Sequence, residues 1–437
     1  MQLSIQNFGT IKDANIIVDG ITVITGNNNT GKSTIGKVFY TFFNSFYEIE
    51  EKIDLAIENK RRNLYEDVIY KQVIENNMDK LDRSRVAIRR RVEYIVDEVL
   101  EKNEKDSNIV YEILKENLAD RYHIEKDVIT KIINEFKAKE KELNEIESIE
   151  IEKEILTRYF KKIFYGQINS LIDVDSEAEI SVQIKKKEFK LIFKNDSCID
   201  IVGNPNIVHE AFYIDDPFIV DEMGDYYFGY RRYRKRLSFP SIREHLISKL
   251  SESVETMDNI VDVVISKEKL QQVDKILDET IGGKIVLERD GDLGLQGKQY
   301  SRPLKLSNLS TGLKAFIVIK RLLEVGQLRD KDVLIFDEPE IHLHPEWQMV
   351  YAELIALLQE KFDMTIIVTT HSVEFLEAIE YYSKKYKIEN KCNYYMSVEK
   401  DGGYQFQPAN NDLAMIYKKM IKPGLELDKL KYQLEDE

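Results

Sequence analysis

Cysteine is scarce in this chain: its 437 residues include only Cys198 and Cys392, far apart and in no CxxC pair. That argues against a disulfide scaffold or a cysteine zinc site and fits a reducing compartment. No apolar run approaches the roughly 18 residues that a membrane helix needs. The opening Met-Gln-Leu-Ser-Ile-Gln-Asn-Phe also lacks the basic-then-apolar layout of a signal peptide. The expectation is a cytoplasmic protein with no membrane partner. An excess of basic charge is missing as well, because 63 Lys and Arg face 78 Asp and Glu for a net charge of −15. This excludes a uniformly basic nucleic-acid coat but leaves room for a local basic groove, since phosphate binding depends on the patch and not on the sum. Glycine and proline vanish between about Glu48 and Tyr165, where Glu, Lys, Arg and Ile dominate.

What is present is enough for a buried core, with 43% apolar residues, and the 32% of charged residues points to long solvated helices. Leu3, Ile5 and Phe8, then Ile16 and Ile17, then the β-branched run Ile21–Thr25 read as strands, and a helix should start near Lys32. In the glycine-free region Val92, Ile95, Val96, Val99 and Leu100 share one helical face, as do Ile129, Ile132, Ile133 and Phe136. No heptad pattern persists, so the segment reads as several helices with a small core of their own. Strands return at 180–184, 189–193 and 211–214, helix at about 241–277, and the last third alternates helix and strand in βαβ fashion. The expected parts are 1–45, a helical insertion 46–170, a β-rich part 171–235, a second helical segment 236–280, a part 281–390 that rejoins the first, and a tail 391–437.

Four short motifs carry the chemistry. Gly26-Asn27-Asn28-Asn29-Thr30-Gly31-Lys32-Ser33, continued by Thr34, fits the GxxxxGK[ST] phosphate loop between a strand and a helix start. Backbone amides of such a loop cradle phosphates, Lys32 adds a positive charge, and the Ser33 hydroxyl suits Mg²⁺. Asn28 and Asn29 stand where glycine is common, and asparagine tolerates left-handed backbone. Val333-Leu334-Ile335-Phe336-Asp337-Glu338 is an apolar strand ending in two acids: Asp337 to hold Mg²⁺, Glu338 to orient or deprotonate a water. Asn308-Leu309-Ser310-Thr311-Gly312-Leu313-Lys314 opens a helix, with Ser310 a favourable N-cap and Gly312 leaving amides exposed. Taken alone it reads as an ordinary capped helix; beside the other motifs it reads as a phosphate-binding helix start. Thr369-Thr370-His371-Ser372 ends a strand, where His371 either donates to a γ-phosphate or is a structural histidine.

The order of these motifs, and the wording Asp337-Glu338-Pro339-Glu340-Ile341-His342-Leu343-His344-Pro345, resembles ABC-type ATPases of the RecF, SMC and OLD group. The resemblance covers roughly 1–45 and 280–380. It implies an α/β fold: a P-loop NTPase head with a mixed sheet and flanking helices, assembled from N- and C-terminal segments and interrupted by a largely helical insertion. It further implies ATP and Mg²⁺ as ligands, a homodimer or higher oligomer through the heads, Ser310, Thr311 and Gly312 reaching across to the other subunit's nucleotide, and His371 as switch histidine. The signature departs from Leu-Ser-Gly-Gly-Gln, and no glutamine fills the Q-loop; Tyr213-Ile214-Asp215-Asp216-Pro217 is the nearest substitute, with its acids either in the metal shell or capping a turn. His342 and His344 are two apart without a third ligand, a poor zinc pair.

Basic clusters occur at 60–62, at 83–91 and at Tyr230-Arg231-Arg232-Tyr233-Arg234-Lys235-Arg236. The last suits phosphate contact plus base stacking, so Arg231, Arg232, Arg234, Lys235 and Arg236 are the candidate DNA-binding residues. The alternative is a solvated face that pairs with glutamates. The group resemblance extends to anti-phage defence ATPases acting with a separate effector, a nuclease or toxin; the nuclease domain that follows the head in OLD proteins is expected to be absent after His371. A protein-binding scaffold without DNA contact and a transporter subunit are the competing readings.

Overall fold

The computed structural model describes residues 1–76, 85–102, 106–223, 239–252, 260–287, 293–410 and 412–435. The chain forms two compact units: the smaller holds 49–155, and the larger holds the segments before and after it.

The larger unit is organised by one eleven-stranded mixed sheet. Its strands are β1 (Gln2–Phe8), β2 (Ile11–Ile17), β3 (Ile21–Thr25), β4 (Ala178–Ile184), β5 (Lys187–Lys194), β6 (Ser197–Val202) and β7 (Ala211–Ile214), joined from the last third by β11 (Val333–Asp337), β12 (Thr365–Thr370), β13 (Cys392–Lys400) and β14 (Gly403–Pro408). Strands β8 (Gly283–Leu287), β9 (Leu293–Gly297) and β10 (Leu304–Lys305) form a separate small sheet. The large sheet runs β6-β5-β4-β1-β2-β14-β13-β3-β12-β11-β7. From β13 to β7 every neighbouring pair is parallel. β3 and β12 are covered on both faces, and all their residues but Thr365 are buried. Val23, Leu334 and Val368 point into one core, while Ile24, Ile335 and Ile367 point into the other.

The second of these cores is closed by α1 (Lys32–Phe46) and by Leu156, Phe160 and Ile163 of α6 (Ser148–Phe164). The first is closed by α7 (Ile242–Leu250), α8 (Ile260–Ile281), α9 (Thr311–Glu324), α10 (Pro345–Phe362) and α11 (Val373–Lys385), with Ile416 of α12 (Leu413–Glu435). Residues 391–437, which read as a tail, thus supply two strands at the middle of the sheet and a helix. The order of strands in a sheet is a long-range property, and local pattern does not carry it.

The smaller unit holds α2 (Ile49–Glu75), α3 (Arg85–Lys102), α4 (Ser107–Tyr122) and α5 (Lys126–Asn144). Each helix touches the next, and α5 returns to α2. The two periodic faces named from sequence meet inside: Val92, Ile95, Val96 and Val99 are buried with Ile129, Ile132, Ile133 and Phe136. Tyr65 stacks on Phe136 with ring centroids 3.8 Å apart. Among the described residues no helix is long and apolar enough to cross a membrane.

Candidate functional site

β3 ends at Thr25 and α1 starts at Lys32, leaving residues 26–31 as the intervening loop. Gly26 has φ +144°, and a Cβ there would lie 1.8 Å from Ser397 Oγ, so only glycine fits. Of the two asparagines expected in left-handed backbone, Asn29 adopts it (φ +60°) and Asn28 is not among the positive-φ residues. Lys32 Nζ folds back to donate to Asn27 O at 2.8 Å. Thr30 Oγ1 donates to the same carbonyl at 2.9 Å and meets Ser397 Oγ at 2.7 Å. Gly31 stands at the N-cap of α1 without a side-chain cap, so no side chain competes for the first amides of that helix. A cavity of about 220 Å³ lies here, lined by residues 28–34 and Glu338.

The opposite wall comes from parallel register. Asp337 at the end of β11 pairs with Thr369 of β12. Its Oδ1 accepts from Ser33 Oγ at 3.0 Å and from Thr369 Oγ1, and its Oδ2 accepts from Tyr213 OH at 2.6 Å. Glu338 follows in left-handed backbone (φ +51°), a conformation that costs a non-glycine residue about 1 kcal/mol or more. Its amide is held by Thr369, donating to the carbonyl at 3.1 Å and to Oγ1 at 3.0 Å. The carboxylate then reaches both neighbours: Oε1 is 3.8 Å from Lys32 Nζ and 2.8 Å from His371 Nε2. No other hydrogen-bond partner reaches His371 Nε2 among the described residues.

The electrostatics follow from burial. Desolvation lowers the pKa of Lys32, against the opposing pull of Glu338 and Asp337. Burial and the charge of Lys32 lower His371 despite Glu338, which favours a neutral imidazole. Desolvation, then the charge of Asp337, raises Asp215. Asp216 of the same segment caps a 3₁₀ turn by accepting from Phe218 N at 2.8 Å, and it pairs with Arg243 at 2.7 Å. Glu340 is buried and raised by desolvation. Its Oε1 accepts from Thr370 Oγ1, His371 N and Ser372 N at 2.6, 2.7 and 3.2 Å, which fixes the backbone that carries His371.

Lys32, Ser33, Asp337, Glu338 and His371 are therefore brought together. The Ser310 segment sits at the start of α9. Ser310 occupies the N-cap position, but its side chain makes no capping bond. Gly312 is buried rather than open: a Cβ there would meet Trp347 at 2.8 Å. His344 caps α10, and His342 packs edge-on to Phe218. Arg231, Arg232, Arg234, Lys235 and Arg236 lie outside the described residues. In the other basic clusters, Arg61 pairs with Glu140, Arg62 with Asp97, and Arg91 bonds Asn117, so these guanidiniums are committed within the smaller unit.

Sequence reasoning missed Tyr213, Thr369, Glu340 and Ser397. The first three lie inside quoted motifs, but their roles depend on strand register. Ser397 has no motif and is found only through the pairing of Met396 with Thr25.

A glycine loop between strand and helix, with two acids ending a strand two positions away, defines a P-loop nucleotide-binding domain. The chain belongs to the AAA ATPase domain family, whose model matches residues 1–376. It is 33% identical over 82 residues to the phosphonates import ATP-binding protein PhnC of Lactobacillus delbrueckii subsp. bulgaricus, a match over 19% of this chain and 29% of that protein's length. Similar solved structures include the SMC head domain from Thermotoga maritima (TM-score 0.37, 12% identity, 93% of this chain and 97% of that one). Another is the Smc head domain with an extended coiled coil bound to the C-terminal domain of ScpA, from Pyrococcus furiosus (TM-score 0.40, 12% identity, 96% and 98%).

Proposed function

We propose that the cavity at residues 28–34 binds Mg-ATP and that the protein hydrolyses it as a conformational switch between two head-to-head copies. The observation that carries this reading is that Lys32, Ser33 and Glu338 line one cavity while Asp337 bonds Ser33 and His371 contacts Glu338, residues that lie some 300 positions apart in the sequence. Ser33 Oγ and the Asp337 carboxylate offer only oxygen donors, the set Mg²⁺ prefers. Held there, the ion would neutralise charge on the β- and γ-phosphates.

The residues of the chain have distinct tasks. Lys32 exchanges its hold on Asn27 O and Glu338 for phosphate oxygens, and the uncapped start of α1 adds backbone amides. Glu338, freed from Lys32, orients the attacking water and accepts its proton. His371, kept neutral, donates to the γ-phosphate. Ser310, Thr311 and Gly312 of a second copy close the site, and the uncapped Ser310 hydroxyl supports that role. Loss of the γ-phosphate contacts parts the heads. The helical unit, which follows α1 directly in sequence, carries the motion to a separate effector or to DNA. Glu338→Gln should retain ATP, slow turnover by about 10²–10⁴-fold and accumulate an ATP-dependent dimer, read by light scattering. Unchanged turnover would refute the role of Glu338.

A further inference from the structure

The turn that follows Glu338 is tied to the backbone that carries His371. Pro339–His342 form a 3₁₀ turn directly after that residue, and Glu340 within it is only 6% exposed. Its carboxylate crosses to the neighbouring strand end, where Oε1 accepts from Thr370 Oγ1 at 2.6 Å and from the amides of His371 and Ser372 at 2.7 and 3.2 Å. The backbone of the turn is held by a second bridge. Gln348 of α10 donates from Nε2 to Glu340 O at 3.3 Å and to Leu343 O at 3.2 Å, while its Oε1 accepts from Ser372 Oγ at 3.0 Å. Ser372 also caps α11, accepting from Phe375 N at 3.1 Å. Two side chains, Glu340 and Gln348, thus clasp the end of β11 to the start of α11. Glu340 is not among the residues that line the cavity.

We propose that Glu340 is a positioning residue for ATP hydrolysis, its carboxylate holding His371 in fixed relation to Glu338; this rests on the reading of those two side chains as the hydrolytic pair. His371 Nε2 stands 2.8 Å from Glu338 Oε1. A donor to the γ-phosphate and a group that orients the water must keep such a relation through every turnover, and a displacement of about 1 Å costs on the order of 10²-fold in rate. The clasp needs a carboxylate. Three donors converge on one oxygen at the N-terminal end of α11, where negative charge is favoured, and bonds to an ionised acceptor are roughly twice as strong as neutral ones. Glutamine would put an amide nitrogen into the buried space where Oε2 has no hydrogen-bond partner. Aspartate is one methylene shorter and reaches less far across to the next strand.

The test combines ATP turnover, calorimetric ATP binding and amide hydrogen exchange on the full chain. Glu340→Ala should speed exchange at the amides of His371 and Ser372 in the nucleotide-free protein, lower kcat by about 100-fold and leave the Kd for ATP unchanged. Glu340→Gln keeps one acceptor oxygen and should lose about tenfold in kcat. Added to His371→Ala, Glu340→Gln should lower turnover no further, because the two residues act as one unit. Unchanged kcat in Glu340→Gln overturns the proposal, and that variant decides alone if Glu340→Ala does not fold. A full additive loss on the His371→Ala background overturns it too, as does an ATP Kd that weakens in step with kcat; either would make Glu340 a brace for the whole site. If His371→Ala hydrolyses ATP at the unsubstituted rate, the hydrolytic reading of His371 falls and takes this proposal with it.

Discussion

The surroundings of the cavity at residues 28–34 and the core of the helical unit are built on opposite rules. In the cavity, individual atoms matter: Asp337 accepts from Ser33, Thr369 and Tyr213, and Glu340 accepts three donors on one oxygen. In the helical unit, the buried groups are mainly aliphatic, as in Ile95, Val96, Leu114 and Ile132, and what matters is that the right face is apolar. Polar groups out of water must each find a partner with correct geometry, whereas apolar groups need only contact and volume. The first kind of region tolerates few changes in function, and the second few changes in volume.

The largest effect that would sharpen this contrast is at Lys32. Its side chain is 4% exposed, and its donors are engaged by Asn27 and Glu338. Lys32→Ala should cost about 4 kcal/mol of ATP binding, roughly a thousandfold in Kd, as expected for truncating a buried charged partner. Calorimetric titration with ATP checks this, and retained affinity would mean that the cavity does not hold the phosphates. Next comes a volume change in the helical unit. Leu114 is fully buried there, and none of that unit's core residues belongs to the cores of the larger one. Leu114→Ala should destabilise the helical unit by about 3 kcal/mol through lost burial and a residual cavity. Thermal unfolding should show the helical transition moving down while ATP affinity stays the same. A parallel loss of affinity would show that the two regions are not separable.

The same contrast explains what the sequence revealed. The phosphate loop and the Asp337-Glu338 strand end are legible because their chemistry lies within eight or fewer consecutive residues, and backbone geometry fixes the spacing. The faces of α3 and α5 are legible because helical periodicity is local. Strand β6 was missed although Asn195 and Asp196, both at positive φ, make the two-residue turn that announces a hairpin. That signal was available in the residues. The insertion of β13 and β14 between β2 and β3 was not, since nothing in Cys392–Lys400 names its neighbours. The roles of Tyr213 and Ser397 depend on that long-range register and were hidden with it.

The smallest expected effect tests the other end of the scale. Lys139 and Glu142 sit one helical turn apart on α5, 2.8 Å between charged atoms, with both side chains more than a third exposed. Such a pair gains little Coulomb energy in water and gives part of it back in side-chain entropy. Lys139→Ala should therefore shift stability by no more than a few tenths of a kcal/mol, partly recovered because alanine favours helix. Comparing its denaturation midpoint with that of Leu114→Ala places both substitutions in one unit. If the surface change cost as much as the core change, apolar volume would not be what holds the helical unit together, and the division between its construction and that of the cavity wall would fail.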